Sequence, residues 1–400
     1  MNAAHDQKSL SASFPGIPTR ELDERGATWT AREIAQQPHV WLQVAQQIEA
    51  GRAKLDALLS PLFAQPALRI VLTGAGTSAF IGNCLAPALS AHLQRRVDAM
   101  PTTDIVSAPA SYLADDVPTL LVSFARSGNS PESLATIELA ERALSVVHHL
   151  IITCNAEGTL AKRAGQLRSA LSLVLPDATN DRSFAMTSSF SSMLLAAAVA
   201  FGLLPQQRVE SLSRAAAQLL DRAWPLAQRL ASRNFHRVVY LGSRELRGLA
   251  AEAALKLLEL SDGRVVALCE STLGFRHGPK TVIDERTLVV LMLSNDPYTR
   301  AFDLDLLREL RRDGRAGTIL ALGAPKASDS EDVRAGEHLE LTDMSDASDL
   351  EIALLAVVVA QTYALIQSLA LGLTPDRPNA SGVVNRVVQG VIIHPWRSGQ

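Results

Sequence analysis

The sequence predicts an α/β protein of two lobes, each a parallel β-sheet flanked by helices. Three observations predict it. Short apolar runs of strand length alternate with helical stretches, the pattern of right-handed crossovers in a parallel sheet. The alternation starts afresh near residue 237, after a long helical stretch. Several runs end in Gly and hydroxyl residues just before the next helix, where ligands of parallel sheets sit. Across 400 residues, 47% are hydrophobic and only 4% aromatic, which favours small-residue helix packing on buried sheets.

The elements follow in order. Residues 1–26 are polar and rich in Pro, Gly and Ser, and read as a flexible tail. Residues 27–60 read as N-terminal helices. Thr30 and Glu33 have capping-box spacing, for a helix starting after Thr28 and running to Pro38; a second runs from His39 to about Ser60. Residues 61–205 form the first lobe, with strands at Leu68–Leu72, Thr119–Phe124, His149–Thr153 and Leu171–Leu175. A helical stretch, Thr187–Leu230, leads into the second lobe, 206–372. Its strands are Arg237–Leu241, Val265–Cys269, Leu288–Leu293 and Thr318–Leu322, and Leu350–Leu371 is a long apolar helix. Residues 373–400, with Pro375, Pro378 and Pro395, form an irregular tail.

Composition excludes several functions. The net charge is −3 with no basic stripe, which argues against nucleic acid as a partner. Cys84, Cys154 and Cys269 are isolated in or beside apolar stretches, and are expected to be small buried hydrophobes in a reducing cytoplasm. The N-terminus has no apolar leader run. No stretch reads as a membrane span; the best candidate, Met193–Leu204, is too short, so no membrane partner is expected. The nine histidines show no HxH or HExxH spacing, so no metal is expected.

Two loops in the first lobe carry chemical promise: Gly74-Ala-Gly-Thr-Ser78 and Arg126-Ser-Gly-Asn-Ser130. Each puts Gly and hydroxyl residues at a helix start, where free N–H groups and the helix dipole favour an anion. Ser and Thr also cap helices without any ligand; two such loops at neighbouring strand ends tip the balance to a site. The first partly matches a dinucleotide fingerprint, but Ala79 replaces its third Gly. In the second lobe, Glu252, Lys256 and Glu259 lie on adjacent turns of one helix face. They are a solvated stripe or a site, and spacing alone leans to the stripe. His277, in Phe275-Arg-His-Gly-Pro279, is loop-borne and able to face a cleft.

These residues resemble the SIS (sugar isomerase) superfamily, including the isomerase half of glucosamine-6-phosphate synthase. The resemblance runs from about residue 30 to the C-terminus. It is greatest to AgaS-type galactosamine-6-phosphate deaminase/isomerases, through GAGTSAFIG, PTTDIV, SGNSPES, FAMTSS, GFRHGPK, PYTR and NRVVQGVIIHPW. The resemblance implies two SIS lobes of flavodoxin-like three-layer type and a C-terminal tail completing the active site. It implies a phosphate cradle of Ser78, Arg126, Ser127 and Ser130, with Thr187 and Ser188 lining the sugar. It implies Glu259 as the proton-shuttling carboxylate and His277 as the ring-opening group, donated by the partner of a homodimer or higher homo-oligomer. Lys256, Glu252 and Glu270 would support them, with no cofactor. The synthases' terminal lysine has no counterpart in Asn379–Arg386, and their glutamine-hydrolysing domain is absent. The expected reaction is therefore ammonia release from galactosamine 6-phosphate, giving tagatose 6-phosphate. Tagatose-6-phosphate ketose/aldose isomerisation and glucosamine-6-phosphate deamination are the rival activities, and a non-enzymatic sugar-phosphate sensor is the rival of another class.

Overall fold

A computed structural model describes residues 14–396, apart from 328, 330, 380, 387 and 389. Ten strands form two parallel sheets. The first comprises β1 (Arg69–Thr73), β2 (Val97–Ala99), β3 (Thr119–Ala125), β4 (Val147–Thr153) and β5 (Ala170–Val174), in the order β2-β1-β3-β4-β5. The second comprises β6 (Arg237–Leu241), β7 (Val266–Glu270), β8 (Thr287–Met292), β9 (Thr318–Gly323) and β10 (His338–Glu340), in the order β7-β6-β8-β9-β10. The two orders are the same, so the lobes share one topology. In each, the chain steps to one side of its first strand and then crosses to the other. That places a switch-point crevice at the carboxyl ends of β1 and β3, and a second at β6 and β8. β3 reads TLLVSFA and is buried throughout, as a strand covered on both faces must be.

The helices that position the site are α1 (Thr28–Ala35), α2 (Thr77–Leu93), α3 (Pro131–Ala143), α4 (Ser188–Ala200), α5 (Gln206–Ala231), α6 (Glu245–Leu260), α7 (Pro297–Asp313) and α8 (Asp349–Ala370). α2 and α6 pack on each other between the lobes. A side chain at Gly248 would lie 2.5 Å from the Cys84 backbone nitrogen, so glycine sets this close approach. Glu252 lies beside Thr77, at the start of α2. The helices are therefore antiparallel, and the end of α6 carrying Glu259 runs on towards the strand ends of the first sheet.

α8 corrects one expectation. It is long and apolar enough to cross a membrane, but its apolar stretch is completely buried inside the protein. A helix apolar all round is here the shared core, packed along α5 and α6. Its start carries a complete capping box from Ser348 and Glu351.

The box read at Thr30 and Glu33 does not form. α1 already begins at Thr28, and the backbone N–H groups of Trp29 and Thr30 donate to Asp376 in the C-terminal tail, at 3.1 and 2.8 Å. The single stretch read as Thr187–Leu230 is two helices, because Gly202 turns at φ +76° and Pro205 opens the next. The two N-terminal helices are three, α1, Gln37–Ala50 and Arg52–Phe63. β2 and β10, three residues each, were too short to read. Of the expected loose tail, residues 1–13 lie outside the described residues. Residues 14–26 are packed: Phe14 sits edge-on to Trp224 at 5.6 Å, and Thr19–Glu24 is a short helix burying Leu22.

Candidate active site

The two hydroxyl loops meet at the β1/β3 crevice. A side chain at Gly74 would lie 2.6 Å from the Ser78 backbone, so the turn needs glycine there, and Gly76 takes φ +55°, ψ −127°, which glycine adopts without strain. It delivers Ser78 into the first turn of α2. The Ser78 hydroxyl reaches only the Met186 sulfur, at 4.0 Å. At the neighbouring strand end, the Ser127 oxygen accepts from the Asn129 N–H at 3.3 Å and its own proton has no acceptor among the described residues. Gly158 packs under this loop, where a Cβ would lie 2.5 Å from the Ser127 carbonyl. Asn155 donates to the same carbonyl at 2.9 Å. Ser130, just before Pro131 at the start of α3, donates to Glu132 at 2.5 Å.

Arg126 departs from the expected phosphate contact. Its buried guanidinium donates to three carbonyls: Ser183 (3.5 Å), Phe184 (3.1 Å) and Arg386 (2.7 Å). Burial and the nearby Arg386 push its pKa below the ordinary arginine value, while Asp181, Glu259 and Glu33 oppose the shift. Arg386 in turn donates to the Asp181 carbonyl (3.0 Å) and to Asn180 (3.2 Å). Arg126 thus fastens the C-terminal tail beside the crevice.

Thr187 and Ser188 also depart from expectation. Both are fully buried, and their hydroxyls face Asp181 rather than a sugar. The Asp181 carboxylate accepts from Thr187 N (2.7 Å) and Oγ1 (3.3 Å), Ser188 Oγ (2.6 Å), and Ser189 N (2.9 Å) and Oγ (2.5 Å). It caps α4 from outside the helix and shapes the wall from behind. Behind it, Glu33 accepts from Arg182 N at 2.5 Å and from the Ser183 hydroxyl. Burial, then repulsion from Asp181, pushes the Glu33 pKa up to about 8.

The three charges of α6 are not a solvated stripe. Glu252 and Lys256 are fully buried, and the Glu259 side chain is 24% exposed. Lys256 hydrogen-bonds Glu259 and stands 3.7 Å from Glu252. Neither Glu252 oxygen accepts a hydrogen bond of normal geometry among the described residues. Burial pushes the Glu252 pKa up to about 8; Lys256 works against the shift and Glu259 adds to it. Burial works against the Lys256 charge, but the two carboxylates outweigh it and hold its pKa above the ordinary lysine value. Near neutral pH the arrangement is a neutral Glu252, a cationic Lys256 and, at the exposed end, Glu259 directed by that cation.

His277 is exposed on the second lobe, after the short turn Gly274–Arg276. Its loop is pinned to α7: Arg276 pairs with Glu309 at 2.9 Å, and Lys280 pairs with Glu309 and Asp313. The His277 ring itself has no partner among the described residues. Glu270 lies at the end of β7, accepts from Ser271 N at 2.6 Å, and lines a cleft of about 860 Å³ between the second lobe and Asn83, Pro87 and Ala99 of the first. No group of three or more His, Cys, Asp or Glu among the described residues could hold a metal. Cys84 and Cys154 are buried as expected, with burial pushing Cys154 up to about 12, but Cys269 is exposed.

Sequence reasoning missed Glu33, Asp181 and Arg386. Their partners lie 6 to 260 residues away in sequence, and none follows a helix or strand spacing.

Fold and loops together define a SIS-domain protein, and the SIS domain model matches residues 62–202. An AgaS protein of Streptomyces coelicolor is 52% identical over 371 residues, 92% of this chain and 96% of its own length. The D-galactosamine-6-phosphate deaminase AgaS of Escherichia coli is 46% identical over 374 residues, 93% of this chain and 97% of its own. The crystal structure of tagatose-6-phosphate ketose/aldose isomerase from Escherichia coli superposes with a TM-score of 0.85 at 43% identity, covering 92% of this chain and 98% of that one. This chain belongs to the AgaS family.

Proposed function

We propose that this chain is an isomerising deaminase that converts galactosamine 6-phosphate to tagatose 6-phosphate and ammonia. One observation carries the reading: a partly exposed carboxylate, Glu259, is oriented by a buried lysine and runs towards a crevice where the Ser78 and Ser127 hydroxyls have no oxygen acceptor among the described residues. The names of the AgaS relatives support the substrate. Ser78, Ser127 and Ser130 hold the 6-phosphate, whose binding energy positions the reacting carbons. His277 moves the proton between O1 and O5 as the sugar ring opens. The open aldehyde makes the C2 proton acidic. Glu259 removes it and returns it at C1, leaving an imine at C2. Water adds to the imine carbon, the C–N bond breaks, and ammonia leaves with the proton it gained. Lys256 keeps Glu259 aimed, and Glu252 supports that lysine. Every step is a proton transfer or a water addition, so the scheme calls for no cofactor.

The active unit is at least a homodimer, because His277 stands exposed and unpartnered on the lobe opposite the Ser loops. The sugar-phosphate substrate and the free thiols fit a cytoplasmic enzyme. Aldose–ketose isomerisation is the second reading, favoured by the likeness to the Escherichia coli tagatose-6-phosphate ketose/aldose isomerase. The test is to incubate the protein with galactosamine, glucosamine and N-acetylgalactosamine 6-phosphates and with tagatose 6-phosphate. Ammonia is expected from galactosamine 6-phosphate above the others. Isomerisation of tagatose 6-phosphate without ammonia release would select the second reading. Equal turnover of unphosphorylated galactosamine would overturn the phosphate cradle.

A further inference from the structure

The two lobes repeat one design at the level of single turns. Gly76 has φ +55°, ψ −127°, and Arg244 has φ +51°, ψ −122° at the same place after β6. A Cβ at Gly242 would lie 2.6 Å from Leu246, four residues on, as one at Gly74 does from Ser78. Strand register then pairs Thr102 with Thr272, because Leu72 faces Ala99 in one sheet and Tyr240 faces Cys269 in the other.

Three donors at the strand ends of the second lobe are engaged from within by one carboxylate. Asp303, fully buried on α7, accepts from Ser243 Oγ (2.9 Å), Thr272 Oγ1 (2.7 Å) and Ser294 N (2.9 Å). Those donors come from the ends of β6, β7 and β8. Asp349 accepts from Ser294 Oγ (2.5 Å) and Asn295 N (2.6 Å), and Asp296 from Thr299 N (2.8 Å). The two cations of the cleft are paired as well: Arg244 with Glu245 at 3.2 Å, and Arg247 with Glu270 at 3.6 Å. The first lobe differs at matching places. Ile137 stands where Asp303 would be, counting from Pro131 and Pro297. Among the described residues, the buried Thr102 hydroxyl has no partner, and Ser78 and Ser127 have no oxygen acceptor. The catalytic face differs too: on the turn-to-turn match of Gly76 with Arg244, Ala88 and Ala91 of α2 are the equivalents of Lys256 and Glu259 on α6.

We infer that the second lobe is a closed copy of the ligand cradle, its anion-binding groups satisfied by Asp303, Asp349 and Asp296, so that each chain takes one phosphate and takes it in the first lobe. The inference rests on the proposed phosphate cradle for the location of that one site, but not for the closure of the other. The physical reason is competition. A buried carboxylate fixed by three donors supplies the negative charge a phosphate would bring, without the entropy cost of binding. A second anion would find its donors engaged and three acidic side chains beside it.

The test has two arms. Equilibrium dialysis of the wild-type chain with radiolabelled inorganic phosphate should give one site per chain, lost in Ser127→Ala. Two sites per chain would overturn the inference. In the second arm, Asp303→Ala leaves a carboxylate-sized gap lined by three donors. Its Tm should fall by several degrees, and formate or phosphate at tens of millimolar should raise it more than it raises the wild type. A folded Asp303→Ala protein that formate does not stabilise beyond the wild-type shift would also overturn it. If Asp303→Ala does not fold, the wild-type stoichiometry decides. Should Ser127→Ala keep its phosphate, or the wild type bind none, the first-lobe reading falls, while the formate arm still judges the second lobe.

Discussion

Replacing Glu259 by Gln keeps size and shape but removes the ability to accept a proton. The structure sets what else should change. Lys256 is fully buried, and removing its partner would ordinarily leave an uncompensated charge, a loss of about 3–5 kcal/mol. Here Glu252 stands 3.7 Å away and is held neutral up to about pH 8, partly by the Glu259 charge. Without that charge, Glu252 ionises at lower pH and takes over the pairing. The folding cost of Glu259→Gln should therefore be only about 1–2 kcal/mol, near the value of one charge-assisted hydrogen bond. Catalysis should suffer far more. Loss of a general base costs at least about 10²-fold, or about 2.7 kcal/mol of barrier. The assay is ammonia release from galactosamine 6-phosphate, paired with exchange of the C2 proton in deuterated water followed by NMR. Exchange reports proton abstraction alone, so both should fall together while the sugar phosphate still binds. A folded Glu259→Gln protein with near-normal turnover and persistent C2 exchange would refute the reasoning. The base would then have to be sought elsewhere, with Glu252 first in line.

Two other predictions follow from the geometry. Mixing Glu259→Gln with His277→Ala, after subunit exchange, should restore part of the activity that each lacks; no recovery, or a fully active monomer by light scattering, would return His277 to its own chain. Glu33 and Glu252 both have pKa values raised from 4.5 to about 8, so the folded state keeps protons that the unfolded state releases. Their contribution to stability should fall as pH rises from about 4.5 to 8, by up to about 1.4 kcal/mol per pH unit for each group, and level off above. Thermal melts should show a shallower decline in Glu33→Gln than in the wild type, and an identical slope would contradict it.

The pH argument also marks where sequence reading ends. Glu33 looked like half of a capping box because Thr30 stood three residues before it. Only the tertiary structure shows Asp376, almost 350 residues on, receiving the N–H groups of α1. Glu33 is thereby released to hold Arg182 and Ser183 and is buried beside Asp181. Likewise, a Glu-Lys-Glu face reads as a solvated stripe until α2 and α8 pack over α6 and exclude water. Burial is a property of the neighbours, and a single helix carries no record of them.

By itself, the sequence determined the two-lobed parallel architecture, because strand and helix periods and the glycines of the turns are local constraints. It also placed the hydroxyl loops at strand ends, since only glycine permits the close approach at Gly74 and readily takes the positive φ of Gly76. The tertiary structure alone decided which donors remain for a ligand. Arg126, Thr187 and Ser188 carry the right chemistry for a sugar-phosphate site, but carbonyls from distant segments and the Asp181 carboxylate reach them first. Ser78 and Ser127 are left without an oxygen acceptor among the described residues. A hydrogen-bond donor serves the nearest acceptor, and in a folded chain nearness is set by how elements pack rather than by their order in sequence.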